Sequence, residues 1–139
     1  MTVKKTFGGF IVCLCLLTAA ACRNELTEQL HGKWQLRSIE QTGRVIGVDT
    51  VWYNFQSESL FMYQLYWVEK DTFLCAYGYR TQPESNVIRL ELIAHPYPLN
   101  VFLPFTDWDE SVQTFYIERM DRNRLILRKE DKTYTFNRY

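Results

Sequence analysis

The sequence contains little cysteine, and most of it lies at one end. Of the four cysteines, Cys13, Cys15 and Cys22 fall within the first 22 residues, which leaves Cys75 alone in the rest of the chain. A single cysteine cannot form an internal disulfide, so a folded domain must be held together by its apolar core. Nine Phe, nine Tyr and four Trp supply the side chains for such a core.

An excess of one charge is also absent, and histidine is scarce. The 16 basic and 16 acidic residues cancel, which predicts no nucleic-acid partner. The two histidines, His31 and His95, have no metal-ligand spacing. Asp107, Asp109 and Glu110 lie close in sequence but lack the glycine and loop pattern of calcium motifs. No catalytic triad, phosphate-binding loop or Cys-x-x-Cys pair is found, so we expect no metal, no cofactor and no enzymatic activity.

The N-terminal apolar run is too short to cross a bilayer and has the pattern of a signal sequence. The core of this run, residues 10–17, falls well below the about 20 apolar residues that a span requires. Lys4 and Lys5 precede an uncharged stretch over residues 7–21, and small residues lead up to Cys22. Two processing routes fit this pattern: secretory cleavage after one of the alanines, or lipoprotein cleavage before Cys22. Under either route residues 1–21 are not part of the fold.

The segment that ends at Cys22 resembles a lipobox, whose usual pattern is Leu-Ala-Gly/Ala-Cys. The match departs at Ala19, because the nearest leucine is Leu17. The resemblance implies palmitate or a related lipid on Cys22 and a membrane anchor in the bacterial envelope. This envelope lipoprotein would lie at the outer membrane, on its periplasmic or surface face. The expected organisation is a signal peptide over residues 1–21, an anchor and short tether over 22–31, and one domain over 32–139.

From Gly32 onward the chain alternates between apolar and polar residues, which is typical of β-strands. A short helix is expected only at residues 25–30. Turn residues divide the remainder into eight predicted strands, at residues 33–40, 51–56, 60–68, 72–80, 87–93, 112–120, 124–129 and 132–138. The short connections require antiparallel neighbours. The pattern therefore predicts an all-β fold, either an eight-stranded antiparallel up-and-down barrel or a β-sandwich.

The third predicted strand favours the barrel. Phe61, Tyr63 and Leu65 are on one face, and Met62 and Tyr66 on the other, so the strand is apolar on both sides. In a small barrel the inner set fills the interior, while the outer set is covered by a loop, a partner or a membrane surface. A sandwich strand more often carries a polar outer face.

The opening of the first strand resembles the Gly-x-Trp motif of the lipocalins and the wider calycin superfamily. Gly32, Lys33 and Trp34 form this motif. The resemblance implies that Gly32 and Trp34 form the barrel floor, with an arginine of the last strand packed across the indole. Arg138 matches that position best and Arg128 second. Fatty-acid-binding proteins open similarly, but the connection between the first two strands here is too short for their helical pair. The chain is most similar to the lipocalin-like domains of small bacterial lipoproteins.

Residues 94–111 interrupt the regular spacing of the strands. The segment contains three prolines, which disfavour a central strand, yet it is unusually apolar for a loop. Three placements are open: a flap on the outer wall or bottom, a lid over the barrel mouth, or a contact with a partner or membrane. Val101, Phe102, Phe105 and Trp108 are the candidate lid residues.

Three functions fit these observations. The first is binding of a small apolar molecule inside the barrel, with Tyr53, Phe55, Met62 and Tyr77 as candidate lining residues. The second is a protein-interaction or inhibitor module with a filled barrel, whose partner the sequence does not identify. The third is a structural envelope lipoprotein. The volume of the interior separates the first function from the other two.

Overall fold

The computed structural model describes residues 28–139, so the predicted signal peptide and Cys22 lie outside the described residues. From Gly32 onward, nine strands, one short α-helix and two 3₁₀ turns follow along the chain. The strands are β1 (Gly32–Gln41), β2 (Arg44–Gly47), β3 (Val51–Phe55), β4 (Leu60–Trp67), β5 (Thr72–Glu84), β6 (Val87–Leu92), β7 (Val112–Met120), β8 (Arg124–Lys129) and β9 (Lys132–Arg138). The helix is α1 (Leu99–Phe102), and the 3₁₀ turns are Val68–Lys70 and Leu103–Phe105.

The strands close into a barrel. Every pairing is antiparallel, and β1 pairs with both β3 and β9, which joins the two ends of the sheet. Eight strands, β1 and β3 to β9, therefore form a closed ring in chain order, and β2 lies outside it. The predicted eight-stranded antiparallel up-and-down barrel is confirmed, and the sandwich alternative is wrong.

The extra strand β2 is a difference from the sequence prediction, which treated residues 41–50 as a plain connection. β2 pairs with the C-terminal half of β1, from Ser38↔Gly47 to Gln41↔Arg44, whereas the N-terminal half of β1 pairs with β3. The hairpin turn places Thr42 at φ 50 and Gly43 at φ 78, the positive backbone angles that two-residue hairpin turns require. All four β2 residues are exposed, so the strand lacks the alternating burial by which sequence patterns reveal strands.

The helical segments also differ from the prediction. Residues 28–30 are helical, within the predicted stretch whose first part is not described. In addition, α1 and the 3₁₀ turn Leu103–Phe105 lie in the segment that the sequence indicated to be a loop. Over residues 28–139, no helix is both long and apolar enough to cross a membrane.

Aromatic side chains fill the barrel interior. The inward faces contribute fully buried residues from most strands, and Tyr53 lies at their centre. Its ring centroid lies 4.7 Å from that of Phe136, 5.1 Å from Tyr63 and 5.4 Å from Phe61. These spacings are those of favourable aromatic pairs, which stabilise a core beyond the burial of area alone.

The barrel floor brings together the residues of the Gly-x-Trp resemblance. Trp34 is fully buried, and the guanidinium carbon of Arg138 lies 4.0 Å from its ring centroid. Arg138 also donates from Nη1 to the His31 carbonyl at 2.8 Å and from Nε to the Arg122 carbonyl at 2.7 Å. Gly32 has φ 119, and a Cβ there would lie 2.9 Å from Arg138 Nη1, so glycine is required.

Arg128, the second candidate for the floor arginine, is elsewhere. Its guanidinium lies over the exposed ring of Tyr116 at 5.1 Å.

We expect Trp34→Ala to lower the free energy of unfolding by about 3–5 kcal/mol, because it truncates a fully buried aromatic side chain. Arg138→Ala is expected to cost less. The double variant should cost less than the sum of the two, because the side chains contact each other. Urea unfolding of the four species measures this coupling. Arg128→Ala is the matched control and should change stability by no more than about 0.5 kcal/mol. If the losses of unfolding free energy in Trp34→Ala and Arg138→Ala simply add in the double variant, the contact between these two side chains does not contribute to stability.

Candidate functional site

The long loop between β6 and β7 lies at the end of the barrel opposite the floor. Gly32 begins β1 at the floor end, and the antiparallel register places the ends of β4 and β6 at the other end. We call this end the mouth. The loop over residues 93–111 leaves β6 and enters β7 there, so it is positioned to cover the mouth.

Trp108 of this loop occupies the middle of the barrel. It is 4 % exposed, and its indole is stacked on Phe61 with 6.1 Å between ring centroids. The rings of Tyr53 and Tyr63 meet it edge-on at 6.1 and 5.5 Å. Its Nε1 donates a buried hydrogen bond to the Tyr53 hydroxyl at 2.9 Å. The loop therefore inserts a side chain into the interior instead of lying across the opening.

Neighbouring polar contacts hold the Trp108 backbone in place. Thr106 Oγ1 donates to the Leu103 carbonyl at 2.9 Å and accepts the Trp108 amide at 3.0 Å. Asp107 Oδ2 accepts from the Tyr134 hydroxyl at 2.6 Å, which joins the loop to β9. These bonds attach the loop on both sides of the inserted indole.

The end of the loop is attached to β7 and β8 through Gln113. Gln113 is 2 % exposed, and its side-chain amide donates to Asp109 Oδ1 and the Glu110 carbonyl, each at 3.0 Å. Lys129 Nζ donates to the Gln113 side-chain oxygen and lies 3.5 Å from Asp109. The Gln113 amide, with a smaller contribution from Lys129, lowers the pKa of the Asp109 carboxyl.

Burial and the Asp107 carboxylate together hold three tyrosine hydroxyls in their neutral form. Burial raises the pKa of Tyr53 and Tyr63 far above the ordinary value, and Asp107 adds to both shifts. The pKa of Tyr134 is raised by burial first and then by Asp107, whose carboxylate its hydroxyl contacts. A negative tyrosinate would be both poorly solvated and repelled by this carboxylate.

An apolar cavity of about 220 Å³ lies between the loop and the mouth ends of β4 and β5. We call it the mouth pocket. Its lining is entirely aliphatic and aromatic: Trp67, Leu74, Tyr97, Val101, Phe102 and Phe105. Trp67 packs against Phe105 with ring centroids 4.8 Å apart, and Phe102 meets Tyr63 edge-on at 5.6 Å. The pocket therefore adjoins the aromatic core, with the loop forming its outer side.

The mouth pocket can hold a small apolar molecule but offers no charged group to orient one. It is smaller than the about 300–1,000 Å³ of drug-sized ligand sites, so a small or slender ligand fits it best. A larger cleft of about 700 Å³ lies along β7 and β8. That cleft is lined by charged side chains of both signs, including Glu110, Arg128 and Lys129. Its lining therefore does not favour one chemical class of ligand.

The lining residues expected from the sequence are not those of the mouth pocket. Tyr53 and Phe55 do face inward, but they are fully buried in the packed core. Met62 and Tyr77 pair with each other on the outer face of the barrel, and Tyr77 is 38 % exposed. Their prediction as interior residues is wrong, because their neighbours Phe61, Tyr63 and Ala76 hold the inward positions.

Three of the candidate lid residues, Val101, Phe102 and Phe105, line the mouth pocket, whereas Trp108 inserts into the barrel interior. Phe102 and Trp108 are buried, while Val101 and Phe105 line the pocket and remain exposed on their outer sides. The placement of the loop on the outer wall or bottom is wrong, because Trp108 contacts the inward-facing Tyr53. Sequence reasoning missed Trp67, Leu74 and Tyr97 as pocket residues. Leu74 shares the inward face with Leu65, its cross-strand partner, and that alternation was readable from the sequence.

The comparisons with known proteins agree with this architecture. A family model described as a lipocalin-like domain matches residues 14–139. The chain belongs to the lipocalin-like domain family. Among curated proteins none matches the chain.

Two solved structures share the lipocalin-like fold. A lipocalin-like protein from Bacteroides uniformis ATCC 8492 is 24% identical, with a TM-score of 0.68 over 80% of this chain and 99% of that one. An uncharacterized protein from Bacteroides eggerthii DSM 20697 is 23% identical, with a TM-score of 0.63 over 78% and 98% of the two chains. At these sequence identities, the structural similarity supports a shared fold but not a shared function.

The three carboxylates near the mouth do not gather into a cation site in the part of the chain that the structure describes. No group of three His, Cys, Asp or Glu side chains within residues 28–139 is arranged to hold a metal ion. Asp107 and Asp109 instead accept hydrogen bonds from Tyr134 and Gln113.

We expect the free energy of unfolding to fall as the pH rises above about 10, where tyrosines of the unfolded chain ionise. The folded state keeps protons on Tyr53, Tyr63 and Tyr134 that the unfolded state loses, because their pKa values are raised. Alkaline titration followed by tyrosinate absorbance and circular dichroism tests this. These tyrosines should ionise only together with unfolding. Ionisation of all nine tyrosines near pH 10 with the fold intact would contradict it.

Proposed function

We propose that this protein is a lipid-anchored envelope protein that binds a small apolar molecule in the mouth pocket and is not an enzyme. The observation that carries the proposal is a cavity of about 220 Å³ whose six lining residues are all aliphatic or aromatic. Lipocalin-like barrels are typically binding folds, and the family assignment is compatible with a small-molecule ligand.

The chemistry of the pocket defines the ligand class. Transfer of an apolar molecule from water into an apolar site is favourable by about 25 cal/mol per Å² of buried surface. A charged ligand would lose hydration without gaining a partner, because none of the six lining side chains carries a charge. The ligand is therefore an uncharged, predominantly hydrocarbon or aromatic molecule.

A protein-interaction module is the second candidate, and one specific observation favours it. The interior, which would hold a ligand in an open barrel, is filled by Trp108 and fully buried aromatic residues. A filled barrel presents only its surface and loops. The binding experiment below separates the two candidates.

The proposed lipid anchor at Cys22 is inferred from the N-terminal sequence. Cys22 follows a charged n-region, a short apolar core and a run of small residues, the order that a processed lipoprotein signal requires. Nine residues lie between Cys22 and Gly32, the first residue of β1. That length is enough for a short tether between a lipid and the barrel.

We expect the wild-type protein to bind N-phenyl-1-naphthylamine, a small uncharged dye whose fluorescence rises in apolar sites. Leu74→Trp should weaken binding about ten-fold or more, because the larger side chain fills the pocket, a change of about 1.4 kcal/mol. Phe73→Trp is the matched control, since Phe73 is 55 % exposed and pairs with Tyr66 on the outer face. Its dye affinity should equal that of the wild type.

Two results would reject the ligand proposal. A protein that purifies empty from its own envelope, as seen by native mass spectrometry, and ignores the dye would favour the interaction module. Equal dye affinity in the Leu74→Trp and wild-type proteins would locate binding outside the mouth pocket.

We expect Cys22→Ser to move the protein from the membrane fraction to the soluble fraction of cells, because serine cannot take the thioether lipid. Fractionation followed by immunoblotting measures the shift, and Cys75→Ser is the control that should remain with membranes. If Cys22→Ser also remains with membranes, the anchor lies elsewhere.

A further inference from the structure

The outer faces of β4 and β5 form a surface without charge. Along these two strands the outward positions pair across the sheet as Leu60↔Tyr79, Met62↔Tyr77, Gln64↔Cys75 and Tyr66↔Phe73. We call these eight residues the aromatic wall. Phe73 and Tyr79 are 55 % and 50 % exposed, and Leu60 is 45 % exposed. Apart from Gln64, the wall side chains are apolar or aromatic, and an exposed patch of this kind on a folded domain indicates an interaction surface.

The neighbouring strands β6 and β7 differ from the aromatic wall, because their outward positions carry charged side chains, as is usual for a solvent-exposed sheet face. On β6 and β7 the outward positions include Arg89, Glu91 and Glu118, and Arg89 forms an ion pair with Glu91 at 3.3 Å. The charged positions begin on the strand next to the wall, where Glu91 pairs with Tyr79. On this side the uncharged surface therefore ends at β5.

The wall is continuous with the rim of the mouth pocket. The carbonyl of His95 accepts the Tyr77 amide at 3.1 Å, and the His95 ring lies 5.7 Å from that of Tyr77. This segment of the loop leads into Tyr97 and Val101, which line the pocket and are 37 % and 49 % exposed. Exposed apolar groups thus run from the wall to the pocket on the same side of the barrel.

The proposed lipid anchor lies within reach of this side. The ten Cα-to-Cα steps from Cys22 to Gly32 span at most about 35 Å. Gly32 is at the level of Phe55, Phe61 and Gly78 on successive strands. Strands lie about 4.8 Å apart, so the β5 edge of the wall is about 14 Å from Gly32 along the sheet. A barrel tethered at Cys22 can therefore lay this wall on the bilayer.

We propose that the aromatic wall rests in the headgroup region of the membrane that holds Cys22, so that the mouth pocket opens toward lipid. This inference rests on the proposed anchor. Tyrosine is enriched at membrane interfaces, since its ring is apolar and its hydroxyl stays hydrated. Three of the eight wall residues are tyrosines. A bilayer surface adapts to a convex barrel wall, whereas two convex barrels of this chain would touch along a narrow strip and bury little area.

Cys75 provides the test, because it lies in the middle of the wall and is the one thiol that the mature lipoprotein retains. The wild-type lipoprotein is purified and reconstituted in vesicles of phosphatidylethanolamine and phosphatidylglycerol. Its modification by a charged, membrane-impermeant maleimide is compared with that of the mature Cys22→Ser chain, free in the same buffer. We expect the reaction at Cys75 to be about ten-fold slower in the anchored protein, since lipid covers the wall in most molecules.

A cysteine outside the aromatic wall, on β7 two strands beyond β5, is the matched control. Thr114 faces outward on β7 beside Arg89 and is exposed. In the double variant Cys75→Ser, Thr114→Cys, the thiol should react equally fast in the anchored and free proteins. This comparison separates coverage of one wall from general shielding by the vesicle.

Three outcomes would overturn the inference, and they differ from one another. If the lipoprotein floats with vesicles but Cys75 reacts as fast as in the free chain, the anchor holds and the wall does not touch lipid. If the wild-type chain does not float with vesicles, the anchor itself is wrong and the inference falls with it. If the free Cys22→Ser chain shows protection of Cys75 that disappears on dilution, a second copy covers the wall instead of lipid.

Discussion

The need to fill a small closed barrel without voids is the constraint on which the rest of the structure depends. Eight strands leave an interior about wide enough for side chains, and any space left empty loses packing contacts. Here the strands alone do not complete the core. Trp108 reaches in from the β6–β7 loop, stacks on Phe61 and donates its indole hydrogen to Tyr53. The loop is therefore part of the core, and its position at the mouth follows from that insertion.

The strand pattern was predictable because burial alternates along the barrel wall. Trp34 and Leu36, or Phe61 and Tyr63, are buried while their neighbours are not, and this period of two is visible in the sequence. The floor was predictable from Gly32 and Trp34 through the family resemblance. β2 was not predictable, since its side chains are exposed on both faces and its pairing depends on the turn at Thr42 and Gly43.

The candidate site was less predictable than the fold, for a different physical reason. The sequence identified the long apolar loop and its lid residues, but not which strand ends the loop would meet. Met62 and Tyr77 were assigned inward because a two-sided apolar strand does not reveal which face is the inner one. The pocket also combines Leu74 with Tyr97, a pair brought together by the path of the loop and not by strand register.

The energetic cost of moving Trp108 explains why a ligand would occupy the mouth pocket and not the middle of the barrel. Exposing a buried aromatic side chain costs about 1.5–3 kcal/mol, and losing the hydrogen bond to Tyr53 about 0.5–1.5 kcal/mol more. An open interior would then be populated in about one molecule in thirty or fewer, and an interior ligand would lose affinity by the same factor. The mouth pocket exists with Trp108 in place, so binding there carries no such cost. A molecule that enters from the exposed side of Val101 and Phe105 meets the pocket before it meets the core.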